Sequence, residues 1–114
     1  MSNTLTTFCT NFKSIQNETY KVAQSKGWYV GDTEDSELLL GLHAEVAEVA
    51  EAIRHNNPPS DKMPAYSSVE EELADVIIRV MNFAQHKDLN VPGAILAKIE
   101  FNKTRNYRHG NKMF

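Results

Sequence analysis

The amino-acid sequence predicts an all-α fold, a four-helix bundle, on three observations. Four segments carry apolar residues at spacings of three and four, the connections between them are rich in helix breakers, and no stretch shows the alternation of a half-buried strand. The first helix is expected from about Leu5 to Lys26, where Phe8, Phe12, Ile15, Tyr20 and Val22 fall near helical spacing and Gly27 supplies a stop. Trp28 and Tyr29 then occupy a turn closed by Gly31 and Asp32. Asp35 or Ser36 can cap a second helix running to about His55, whose Leu39, Leu42, Val46, Val49 and Ile53 form an apolar stripe. Asn56, Asn57, Pro58 and Pro59 end it and open a loop over residues 56–67, the one candidate for a flexible lid or partner-binding segment. Ser68 with Glu71 reads as a capping box for a third helix carrying Leu73, Val76, Ile77, Val80, Met81 and Ala84. Asn90 caps the last helix, with Pro92 in its first turn, and Gly110 marks its frayed end.

With 114 residues and 12.9 kDa, the chain is expected to form one domain over residues 1–114. Apolar residues make up 41% and charged residues 24%, with a mean hydropathy of −0.46, which excludes a fibrous repeat and gives no ground for disorder. No apolar run approaches a membrane span and no secretory leader is readable at the start, so a cytoplasmic location without membrane attachment is expected. The single cysteine, Cys9, has no Cys or His neighbours at zinc spacing and is expected to be a small buried hydrophobe.

Charge is unevenly spread. The net charge is −3, yet from Asp32 to Asp75 twelve carboxylates face only Arg54 and Lys62, leaving −10. From Lys98 onward five bases face Glu100 alone, leaving +4. Such asymmetry fits a site in which a cation sits on the acids and a polyanion on the bases.

The second helix carries Glu45 and Glu48, the third Glu72 and Asp75, and each i, i+3 pair shares a face. At about 100° per residue, Glu45 and Glu48 lie roughly 90° and 150° to one side of the stripe through Leu42, Val49 and Ile53. Glu72 and Asp75 lie roughly 100° and 160° to the same rotational side of the stripe through Leu73, Val80 and Ala84. Antiparallel neighbours bring such flanks together, so all four carboxylates are expected to converge. Clustered carboxylates repel unless protonated or bridged by a hard divalent cation, for which Mg²⁺ is the best match and Mn²⁺ a substitute. An ordinary solvated face would interleave bases at i+4, but only Asp75 has one, Arg79. A ferritin-like di-iron centre needs Glu-x-x-His pairs, and the sequence has none.

Lys98, Asn102 and Arg105, at i, i+4 and i+7, would line one face of the last helix and could grip a polyphosphate, although bases there also complement the helix dipole. An acidic chain with a pI near 5.8 is not expected to bind nucleic acid stably. Trp28, the one tryptophan, can either stack on a nucleobase or plug the end of the bundle. The competing class is a non-catalytic helical interaction or regulatory module with a basic C-terminal tail.

Leu42-x-x-Glu45-x-x-Glu48, 23 intervening residues, Glu72-Leu73-Ala74-Asp75-Val76 and then Lys98-x-x-x-Asn102-x-x-Arg105 together resemble the MazG-like family of all-α nucleoside triphosphate pyrophosphohydrolases, over about residues 36 to 109. The resemblance implies a four-helix bundle assembled as a homodimer or homotetramer, with Mg²⁺ held by Glu45, Glu48, Glu72 and Asp75. It also implies hydrolysis of a nucleoside triphosphate to the monophosphate and pyrophosphate, as house-cleaning of noncanonical or surplus nucleotides. A bundle this small offers little wall for enclosing a nucleotide, which independently favours a second copy.

Overall fold

The structure, a computed structural model, describes residues 3–107. It contains α1 (Asn3–Ser25), α2 (Asp35–Arg54), α3 (Ser68–His86) and α4 (Val91–Lys103). Among the described residues there is no strand, only an isolated bridge between Pro59 and Ser67. No helix among them is long and apolar enough to cross a membrane. The all-α, four-helix expectation therefore holds. Gly110 lies outside the described residues.

Three of the helices end the same way. After α1, Trp28 N–H donates to the Ala23 carbonyl and Gly27 N–H to that of Gln24, with Gly27 at φ 95°. After α2, Asn57 bonds back to Ala52 and Asn56 to Ile53, with Asn56 at φ 64°. After α3, Leu89 bonds back to Ala84 and Asp88 to Gln85, with Asp88 at φ 55°. Each is a Schellman turn, in which one left-handed residue lets the last carbonyls find donors. Asn and Asp tolerate that region better than other non-glycine residues, so two of the stops carry no glycine.

The helix starts differ from expectation by one residue at two places. The capping box of α3 is Ser67 with Glu70, not Ser68 with Glu71: Ser67 Oγ accepts from Glu70 N–H at 3.1 Å, and Glu70 Oε1 accepts from Ser67 N–H at 2.9 Å. Ser68 and Glu71 are committed to the loop instead. Ser68 Oγ donates to the Pro58 carbonyl, and Glu71 accepts from the hydroxyl of the buried Ser60. At α2 the N-cap is Glu34, which makes no side-chain capping bond. Asn90 caps α4 as expected, accepting from Gly93 N–H at 3.1 Å.

Helix α3 packs against both α1 and α2, and α4 packs against α1. Between α1 and α3 runs a polar seam: Gln16 donates to Gln85 at 3.1 Å, Thr19 to Asn82 at 2.8 Å, and Tyr20 Oη meets His86 Nδ1 at 2.8 Å. Apolar burial is sparse. Ala52, Met81, Ala84 and Pro92 are buried, whereas Leu39, Val46, Ile53, Leu73 and Ile77 are exposed and Cys9 is only half-buried. On α2 the row turned inward is Leu38, Leu42, Glu45, Val49 and Ala52, so the stripe through Leu39, Val46 and Ile53 does not face α3. The radius of gyration is 16.8 Å, against about 13 Å for a compact chain of this length.

Candidate metal centre and adjoining cavity

Because Glu45 belongs to the inward row of α2, its carboxylate meets those of α3. One oxygen each from Glu45, Glu72 and Asp75 lies within 4.8 Å of the others, and all three residues are partly buried. Burial comes first among the causes that raise the carboxyl pKa of Glu72 and of Asp75 above the ordinary range. The neighbouring charge of Asp75 adds to the effect at Glu72, and that of Glu45 at Asp75. Three oxygen donors with excess negative charge are the chemistry that suits a hard divalent cation. Glu48 is exposed one turn further along α2 and is not in this trio, though its charge acts on Glu72. With Glu72, Glu51 and His55 it borders a second hollow at the α2–α3 junction.

A cavity of about 410 Å³ opens beside the trio, lined by Trp28, Tyr29, Glu45, Asp75, Arg79 and Asn82 together with residues of α1. The Schellman turn after α1 presents Trp28 to it. Gly27 reverses the chain, Tyr29 at φ 59° turns its ring against Tyr20 and His86, and Trp28 is left 56% exposed. Trp28 therefore does not plug the bundle end. Burial raises the Tyr29 pKa, while Arg79 and Asn82 act to lower it.

The sequence missed the reach of Arg79. As the i+4 neighbour of Asp75 it reads as an intrahelical partner, yet its Nη2 donates to Glu45 Oε1 on α2 at 3.2 Å. Its Cζ sits 5.4 Å from the centroid of the Trp28 ring. Nor did the sequence reveal Lys62, whose Nζ lies 3.7 Å from Glu71 Oε2 and whose charge offsets part of the upward shift at Asp75. No spacing rule links a loop lysine to helix carboxylates nine and thirteen residues on.

Lys98, Asn102 and Arg105 do not form the expected single row. Helix α4 ends at Lys103, so Arg105 lies beyond its Thr104 cap. Lys98 Nζ rests 4.8 Å from the Phe101 ring centroid, and Lys98 and Asn102 border an apolar groove with Ile95 and Ile99 rather than the cavity beside the acids.

A family model described as the MazG nucleotide pyrophosphohydrolase domain matches residues 33–105, which include all of α2, α3 and α4. No curated protein and no solved structure matches the chain.

Proposed function

Because the chain belongs to the MazG nucleotide pyrophosphohydrolase domain family, we propose that it hydrolyses nucleoside triphosphates to the monophosphate and pyrophosphate in a Mg²⁺-dependent reaction. The observation that carries this reading is the convergence of Glu45, Glu72 and Asp75 beside a cavity whose wall includes the Trp28 indole. These three residues would hold the cation, and Glu48, which borders the neighbouring hollow with Glu72, would add its charge to the site. Bound there, Mg²⁺ would neutralise phosphate charge and lower the pKa of a water. Trp28 offers its ring to the base, and Tyr29 and Asn82 place polar groups on the same wall. Removal of noncanonical or surplus nucleotides is the cellular role this activity would serve.

The working unit is a homo-oligomer. Two features support it: the unpartnered apolar stripe on α2 and α3, and a cavity to which α4 supplies no lining residue. Lys98, Asn102 and Arg105 would then grip phosphates only from a second copy.

The test is incubation with a panel of ribo- and deoxyribonucleoside triphosphates and Mg²⁺, measuring pyrophosphate separately from orthophosphate. Pyrophosphate and monophosphate in equal amounts are expected. Glu45→Gln and Glu72→Gln should each lower turnover by more than about a hundredfold with helicity unchanged. Orthophosphate as the sole product, or no product from any nucleotide, would overturn the assignment.

A further inference from the structure

Arg79 is held in three ways. Its guanidinium donates to Glu45, lies over Trp28, and rests so near the α2 backbone that a Cβ at Gly41 would come within 3.3 Å of Nη1. A guanidinium cannot shed its proton, so in a site this acidic it remains a fixed counter-charge. Glu45 is also one of the three residues whose oxygens converge. A dication on that trio would draw on the same carboxylate and repel the guanidinium beside it. The dication would therefore compete with the guanidinium for the charge of Glu45 and weaken its hold there.

We infer that Arg79 is the resident counter-ion of Glu45, that a divalent cation exchanges with it, and that the exchange lifts the guanidinium off Trp28 and uncovers that indole face for a nucleobase. Arg79 is on this view a positioning residue, and metal arrival prepares the aromatic surface before the nucleotide comes. The inference rests on the reading of the trio as a cation site. It deepens that reading by coupling the cation to the base wall through one side chain.

Trp28 is the only tryptophan in the chain, so its emission reports the exchange directly. Mg²⁺ has a closed shell and does not quench indole by itself. Nucleotide-free protein would be titrated with MgCl₂ by calorimetry and, in parallel, by tryptophan fluorescence. Wild type should give Mg²⁺-binding heat and an emission change with the same midpoint. Arg79→Met should bind Mg²⁺ about two- to fivefold more tightly, since an ion pair of this exposure no longer competes, and its emission should not respond. If Arg79→Met does not fold, Arg79→Lys keeps the charge without the planar stack: its Mg²⁺ affinity should stay near wild type while the emission change shrinks. Binding heat in wild type with no emission change, or an emission change that survives in the variant, would overturn the exchange and leave the metal site standing. Absence of Mg²⁺ heat in every protein would overturn both.

Discussion

Glu45 stands between the carboxylates of α3 and the guanidinium of Arg79, a position set by how α2 is turned about its axis. Its spacing to Glu48, and that of Glu72 to Asp75, marks shared faces at once. The wheel, however, takes the strongest apolar stripe as the side that faces α3, and on that reckoning Glu45 and Glu48 are equal members of a flank. The structure turns α2 so that Glu45 joins the carboxylates of α3, while Glu48 stays exposed at the edge of the α2–α3 hollow beside Glu72. Periodicity gives the angle between residues, not the direction of the partner. Proton linkage follows from the crowding. Glu72 and Asp75 carry raised pKa values, so each binds a proton more tightly folded than unfolded. Their contribution to stability is therefore most favourable below the unfolded pKa, about 4 to 4.5, and declines as pH rises through the folded values. In chelator, thermal midpoints measured against pH should show this decline, and Glu72→Gln should flatten it relative to wild type. An identical pH dependence in the two proteins would contradict the crowding.

Helix ends were the most readable elements where a glycine or a capping asparagine stood, as at Gly27 and Asn90, and least readable where two equivalent solutions lay side by side. Ser67 with Glu70 and Ser68 with Glu71 offer the same capping pattern in the sequence. The choice falls to the loop, because Ser68 and Glu71 bond to Pro58 and Ser60 and so are not available as a cap. Residues 56–67 are consequently fastened to the start of α3 rather than free to act as a lid, with Ser60 N–H on the Tyr66 carbonyl and Val69 N–H on the Asn57 side chain. Removing the true cap by Ser67→Ala should cost about 1 kcal/mol, and Ser68→Ala, which loses an exposed neutral bond, about half that. Denaturant unfolding of the two variants decides between them. Equal losses, or the reverse order, would mean that the capping box is misassigned.

At the scale of the whole molecule, helix number, order and approximate bounds were legible because each depends on local periodicity and breakers. The packing was not, because α2 carries two apolar rows and only one of them faces α3. The other, through Leu39, Val46 and Ile53, lies exposed together with Leu73 and Ile77 of α3. In a lone chain Ile77→Asp would change stability by no more than about 0.5 kcal/mol. In the proposed homo-oligomer it places a charge in a buried contact, and sedimentation velocity should show wild type as dimer or larger and the variant as monomer. A monomeric wild type at micromolar concentration would count against the assembly. The sparse interior has a thermodynamic corollary. With so few side chains among the described residues fully enclosed by its own helices, the chain would depend on association to complete its apolar burial, and the unfolding equilibrium would then depend on protein concentration. Dilution itself would act as a denaturant, and the amount of chain present would fix how much of it is folded.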